Sequence, residues 1–198
     1  VVLPAGTALA RIFFRGGDFP VRWNEFRHFG PGGSRFDHHR PDADGNPITQ
    51  TRGILYAAGK GRLSSLAVCA AEVFQLSRII NCSRGDPWFV IFVTTRELRL
   101  LDLTGAWTTR AGASAAIATG PKARARLWSR NVYEAFPEVD GLAYRSSMGG
   151  NEPAFALYER CRDALPTAPS FHRALSDPAL MAPLVAAAHA IGYRILLG

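Results

Sequence analysis

The chain has 198 residues, 47% hydrophobic and 20% charged, with a formal net charge of +7 carried almost entirely by arginine. That length suits one domain with at most a C-terminal appendage, and that apolar share excludes a disordered chain. No apolar run is long enough to cross a bilayer as a helix.

The first recognisable element is ALARIFF, read as a strand. Residues 30–51 are rich in Gly, Pro, Asp and His and read as a loop. GILYAA follows as a short buried strand. Residues 63–80 give the strongest helix signal, because Leu63, Leu66, Ala67, Ala70, Ala71 and Phe74 recur at helical spacing. RGDPW is a turn in which Pro87 stops any helix. The β-branched and aromatic run WFVIFVTT predicts a central strand. LRLLDLTG predicts another, with Leu98, Leu100 and Leu101 as inward candidates. An Ala-rich stretch at residues 114–117 suggests a short helix, and residues 121–132 a longer one with arginines outward. GLAYRSS reads as a strand ending in small polar residues, and AFALYERC as a short strand or helix. In DPALMAPLVAAAHAIG, Asp177 is an N-cap, Pro178 fits the first turn and Gly192 is a stop. YRILL makes a final strand. The sum is a mixed α+β chain without repeats. Gly30-Pro31-Gly32-Gly33 follows a loop, not a clear strand, so it is no dinucleotide fingerprint.

Glu72 stands beside the apolar stripe of the 63–80 helix, where an unpaired carboxylate is costly to desolvate. Arg35 in GSRFD, Tyr56 in GILYAAG, and Ser146 and Ser147 in GLAYRSS likewise sit at edges of short apolar elements. Together they suggest a polar pocket drawn from distant parts of the chain. By residue type alone, each has a commoner fate: an exposed helix Glu, a surface Arg, a buried packing Tyr, a turn Ser. Glu134, Glu138, Glu152 and Glu159 lie in polar contexts that read as solvated. No His is placed to activate Ser146, since His172 belongs to a different segment. His28, His38 and His39 gather around the loop, close in sequence to Arg35 and in a position to flank a cleft. Adjacent histidines are expected to point apart and no third ligand has suitable spacing, so no metal site is expected. His189 reads as a packing residue on an apolar helix face. Cys69, Cys82 and Cys161 form no ligand or disulfide framework, and VVLPAGTALA has no signal-peptide pattern, so a reducing cytoplasm is expected. The arginines are spread, with PKARARLWSR the densest run. Codon bias explains them first, a phosphorylated ligand second, direct nucleic-acid binding last.

The order Arg, Tyr, Glu, Ser is carried by ARIFFRG, GGSRFD, GILYAAG, AAEVF, LRLLDLTG and DGLAYRSS followed by AFALYER. It resembles the RES-domain family, named for its Arg, Glu and Ser, over about residues 10–160 of one domain spanning 1–198, with residues 177–198 adding the last helix and strand. One departure is length: HHRPDADGNPITQTR, between Arg35 and Tyr56, is longer than the usual family linker. The resemblance implies a fold similar to ADP-ribosyltransferase toxins, with a split β core, flanking helices and NAD in the cleft. RES proteins are toxin halves of bacterial toxin–antitoxin pairs that degrade NAD, so the implied partner is a helix-turn-helix, Xre-like antitoxin, through which alone DNA would be contacted. NAD would be the substrate, not a resident cofactor, with phosphate a possible co-substrate.

Cleaving the nicotinamide–ribose bond passes through an oxocarbenium ion, with a leaving group that needs no proton. Such a site needs a carboxylate near the ribose, cationic donors for pyrophosphate and an aromatic surface. The resemblance assigns these roles to Glu72, to Arg35 with Arg11, and to Tyr56, whose hydroxyl would reach Glu72 or the ligand. Ser146, in preference to Ser147, would hold Glu72 or bind the ribose. Two rivals stand beside this reading. One is a mono-ADP-ribosyltransferase acting on a protein. The other is an Arg-rich nucleic-acid-binding module, which would lack the usual interleaved aromatics.

Overall fold

The computed structural model describes residues 1–113 and 116–197. In chain order the elements are β1 (Val2–Leu3), β2 (Ala8–Phe14), β3 (Arg27–Gly30), β4 (Ile48–Ala58), α1 (Ser65–Val73), β5 (Ile79–Asn81), β6 (Pro87–Val93) and β7 (Leu98–Asp102). Then come α2 (Trp107–Arg110), α3 (Ala116–Thr119), α4 (Lys122–Ala135), β8 (Gly141–Arg145), β9 (Pro153–Tyr158), a 3₁₀ helix (Glu159–Ala164), β10 (Phe171–Ala174), α5 (Pro178–Ile191) and β11 (Arg194–Leu196). The fold is mixed α+β, as expected.

A nine-stranded sheet runs β1-β7-β8-β9-β4-β2-β6-β10, with β3 paired to β4 beside this path. Neighbours are antiparallel except β7 and β8. A parallel pair needs a crossover connection, and α2, α3 and α4 supply it. Between β4 and β2 the sheet nearly divides. β4 pairs with β9 over five residues, from Ile54 with Tyr158 to Ala58 with Ala154, yet meets β2 only at Ala58 with Ala10. One face of β4 carries Ile54, Tyr56 and Ala58, and the other Leu55 and Ala57, which pack with Leu9, Phe92, Leu98 and Leu157. On the first face, Leu66, Ala67, Ala70 and Phe74 of α1 pack over Ala10 and Ile12 beside Leu180 and Leu184 of α5. Ala125 and Val132 of α4 pack over Leu142, Tyr144 and Ala156. The two helical layers thus cover the two halves of the sheet and leave a seam between them.

Several expectations are corrected. The predicted helix over 63–80 is only α1. Ser64 caps it, its hydroxyl accepting from Ala67 N at 3.2 Å. The chain leaves the helix at Phe74, and Arg78 turns through φ 51°. Ile79 and Ile80 then pair with β11 in a separate two-stranded sheet, so tertiary pairing claims the end of the periodic run. The predicted loop over 30–51 shrinks from its C-terminal side, because residues 48–52 already belong to β4, with β3 alongside. β6 is an interior strand as predicted, paired on both sides, with β10 forming the edge beyond it. AFALYERC resolves into β9 and the 3₁₀ helix. Ser114 and Ala115 of the expected short helix lie outside the described residues, and α3 begins at Ala116. α5 keeps its predicted signals: Asp177 accepts from Ala179 N at 2.9 Å, and Gly192 turns left-handed at φ 69°. Among the described residues no helix is long and apolar enough to cross a membrane.

Candidate active site

A cleft of about 950 Å³ opens along the seam of the sheet, with Arg11 and Ile12 of β2 on one side and Ile54 and Tyr56 of β4 on the other. That is the upper part of the roughly 300–1,000 Å³ usual for ligand sites. α1 presents Glu72 to it from its last turn, half-buried beside the apolar face formed by Val68 and Cys69. Burial holds the Cys69 thiol up at about 12, so it lines the cleft as a neutral group.

Glu72 is met from across the fold. The hydroxyl of Ser146, wholly buried just beyond β8, donates to Glu72 Oε1 at 2.5 Å. The same hydroxyl oxygen accepts from Gly149 N at 2.8 Å. Because the amide N–H occupies a lone pair, the hydroxyl hydrogen is left for the carboxylate, and the three groups form one directed chain. Gly149 is needed for this approach: a Cβ there would lie 2.8 Å from Ser146 Oγ and 3.0 Å from Val68 Cγ1. Ser147 is exposed on the cleft wall and is not the serine that meets Glu72.

Leu142, Tyr144 and Ser146 share one face by strand alternation. Tyr144 packs on Phe36, ring centroids 4.6 Å apart. Burial, then the nearby Glu72 carboxylate and Tyr56, push its hydroxyl far above the ordinary tyrosine range, while Arg35 opposes them. Tyr144 is therefore a neutral phenol at the point where Glu72, Tyr56 and Arg35 converge. Tyr56 also stays neutral, raised by burial and then by Asp37. Its hydroxyl accepts from Phe36 N at 3.2 Å, so it braces the neighbouring loop and does not reach Glu72 as expected.

That loop carries Arg35 into the cleft, its Nη1 donating to Gly120 O at 2.5 Å. Asp37, wholly buried, organises the turn. It accepts from Arg27 Nη2 at 2.8 Å, from His39 N at 3.2 Å and from Gly32 N, and pairs with His39 Nδ1 at 2.5 Å. Desolvation alone would raise its carboxyl, but the His39 hydrogen bond and the Arg27 guanidinium outweigh that and hold it well below the usual carboxylate range. From α4, Ser129 Oγ donates to Phe36 O at 2.7 Å and Arg126 Nη1 to Gly32 O at 2.8 Å. The extra length between Arg35 and Tyr56 is taken up by a turn around Asp42, whose Oδ1 accepts from Asp44 N and Asn46 N, and by the first half of β4.

Arg11 donates from Nη1 to the Trp23 and Glu25 carbonyls at 3.2 and 3.3 Å, and its Nε has no partner among the described residues. Burial lowers it to about 10, which leaves it charged at neutral pH. Among the described residues, Arg11, Arg35, Lys122 and Arg145 line the cleft without a carboxylate in salt-bridge range, whereas Arg27 is neutralised by Asp37.

Other expectations are overturned. Glu152 is buried and accepts from Arg62 N at 2.9 Å and Leu63 N at 3.3 Å. Glu159 accepts from Gly53 N at 2.7 Å and from the Tyr133 hydroxyl. Glu134 is exposed as expected, though paired with Arg40 and Arg52, both at 2.7 Å, and Glu138 is exposed too. His38 and His39 do not point apart. Their rings stack with centroids 5.2 Å apart, both wholly buried, because the irregular backbone there does not alternate as a strand would. They pack behind the loop, and of the three histidines only His28 lines the cleft. His189 is exposed on α5, not packed. Tyr144 and Asp37 escaped the sequence reading. The i, i+2, i+4 spacing to Ser146 was the available signal for Tyr144, and Asp37 had none beyond its place after Arg35.

Neither a protein-family model nor a curated protein sequence matches the chain. Among solved structures it is similar to a chain in the crystal structure of the M. tuberculosis MbcT–MbcA toxin–antitoxin complex, with a TM-score of 0.56 and 13% identity, covering 93% of this chain and 92% of that one. At that identity the likeness establishes the fold, over nearly the full length of both chains.

Proposed function

We propose that this chain is the toxin of a toxin–antitoxin pair and that it degrades NAD by cleaving the nicotinamide–ribose bond. The observation that carries the reading is the Gly149–Ser146–Glu72 hydrogen-bonded chain, which aims a carboxylate into a cationic, aromatic-lined cleft. The fold likeness to a chain of a toxin–antitoxin complex supports the class.

In this reading Ser146 holds Oε1 of Glu72 and leaves Oε2 for the ribose. The carboxylate opposes the positive charge that develops on the ribose as nicotinamide leaves. Arg35 is the donor for pyrophosphate, since a guanidinium stays charged and grips two oxygens at once. Arg11 adds positive charge on the β2 side. With its hydroxyl engaged by Phe36 N, Tyr56 offers its ring to the ligand. The neutral phenol of Tyr144 is a further donor close to Glu72. NAD is substrate here, and water or phosphate is the acceptor. The partner is an antitoxin of the helix-turn-helix, Xre-like kind that covers the cleft, in a reducing cytoplasm.

The test is incubation of purified protein with NAD, with and without phosphate, and separation of the products. Nicotinamide with ADP-ribose, or with a phosphorylated ADP-ribose when phosphate is present, is expected. Labelled protein in place of a free product would assign the chain to protein ADP-ribosylation. No release of nicotinamide under any condition would overturn both.

A further inference from the structure

Behind Ser146 lies a second carboxylate that the proposed chemistry does not use. Glu152 closes the β8–β9 hairpin loop, its backbone O accepting from Ser146 N at 2.9 Å and its N–H donating to Gly149 O at 3.2 Å. Its side chain turns the other way. It accepts from the backbone N–H groups of Arg62 and Leu63, the two residues before the Ser64 cap of α1. Arg62 Nε adds a longer contact at 3.4 Å from an exposed side chain. Gly61 makes room for this: a Cβ there would fall 1.8 Å from Glu152 Oε2. The loop also approaches the start of the helix closely: a Cβ on Gly150 would be 3.4 Å from Leu63 Cδ1, just before α1, and one on Gly149 would be 3.0 Å from Val68 Cγ1 within it.

We infer that Glu152 is a positioning residue, tying the start of α1 to the loop that carries Ser146 and so fixing where Glu72 meets the Ser146 hydroxyl. The inference rests on the NAD-cleaving reading only for its catalytic readout. The geometry gives the lever. α1 is a short rigid rod with Glu72 in its last turn, and Glu152 holds the two residues that lead into its cap. Its buried face stays packed on β2 and α5, but freed from that anchor its start can shift relative to the loop, and the Ser146–Glu72 contact is loosened without any change to either residue. Arg11, Arg35 and Tyr56 stand on β2, a loop and β4, so the grip on NAD is untouched.

The test compares Glu152→Ala, Glu152→Gln and Gly61→Ala with the parent for kcat and KM toward NAD, and for the ¹³C shift of the Glu72 carboxyl carbon. A misplacement of about 1 Å can cost roughly a hundredfold in rate. Glu152→Ala is expected to lower kcat by about tenfold to a hundredfold with KM within about twofold. Glu152→Gln, which keeps one acceptor oxygen, is expected to recover most of the rate. Gly61→Ala, which pushes the carboxylate off its N–H groups, should resemble Glu152→Ala. The Glu72 carboxyl signal should move in both damaged variants and return with Gln. Parental kcat in folded Glu152→Ala and Gly61→Ala, or a rise in KM without a fall in kcat, overturns the positioning role. If the parent itself does not turn over NAD, the functional reading fails, and the carboxyl signal alone decides: movement supports the coupling, and an unmoved signal in both variants refutes it.

Discussion

Ser146 commits its one hydroxyl hydrogen to Glu72 and accepts from Gly149, so the carboxylate is positioned by a group that is itself positioned. Glu72→Gln keeps the size of the side chain but loses the charge. Turnover of NAD is expected to fall at least about a hundredfold, with NAD affinity and melting temperature near the parent. Near-parental turnover in folded protein would remove Glu72 from the chemistry. In the proposed reading Arg35 acts on binding. Arg35→Ala should raise KM by the loss of a charge-assisted hydrogen bond, about 1.5–3 kcal/mol, and Arg35→Lys should recover only part of it. Because Arg35 also ties down Gly120, the melting curve of the Ala variant must be read beside its kinetics. An unchanged KM would shift the pyrophosphate role to Arg11. At this scale the residue order pointed to Arg35, Tyr56, Glu72 and Ser146, and the structure places the first three on one cleft with Ser146 buried behind Glu72. It was not enough for hydroxyl partners. A tyrosine in a strand gives no sign of whether its hydroxyl faces a carboxylate or a backbone N–H, and here the Phe36 amide took it.

The loop between β3 and β4 shows what an irregular element hides from pattern reading. Its composition announces a loop but not that Asp37, His38 and His39 would be its core. Among the described residues His38 has no hydrogen-bond partner on either ring nitrogen; it stacks on Tyr133 at 4.3 Å and has a carboxylate oxygen of Glu159 at 3.9 Å. Burial first, and then His39, push it down to about 2, so it is neutral in the folded protein. Its folded value lies below the unfolded value of about 6.5, so the unfolded chain binds the extra proton below that pH. Stability from this group is complete above about pH 6.5 and is lost as pH falls below it, by about 2 kcal/mol between neutral pH and pH 5. The depressed Asp37 carboxyl works in the same direction, but only below its unfolded value of about 3.9. Chemical denaturation at pH 7.5 and pH 5 should show this slope in the parent and its loss in His38→Phe, which fills the same space without polar atoms. Equal slopes in both proteins would place the acid sensitivity elsewhere. α1 teaches the complementary lesson. Its apolar spacing located the helix, yet the apolar run reaches Ile79 and Ile80 for a different reason: they form a strand beside β11, with Ile80 buried.

At the scale of the whole molecule, the cleft exists because β2 and β4 touch at one residue pair, and α1 and α4 cover different halves of the sheet. Four cations face that cleft without carboxylate partners among the described residues, so an unguarded copy is exposed to any small phosphorylated ligand. Expression of the chain alone in bacteria is expected to lower intracellular NAD within the first generations and arrest growth. Co-expression of the product of an adjacent gene should restore it. Toxicity with unchanged NAD would favour a protein-modifying activity, and growth of cells full of soluble, folded protein would count against any toxin. The nucleic-acid rival predicts binding that weakens steeply with salt, with no loss of NAD.

Glu72 and the serine that holds it are 74 residues apart in the chain. A ribosome adding roughly 5–20 residues per second needs about 4 to 15 s to cover that distance. During this interval the nascent chain carries the carboxylate without its hydroxyl, and β4 without its β9 neighbour. The contact is therefore made only once the hairpin that brings Ser146 and Glu152 together has emerged. A message broken or a ribosome stalled before that hairpin yields a fragment in which Glu72 never meets Ser146.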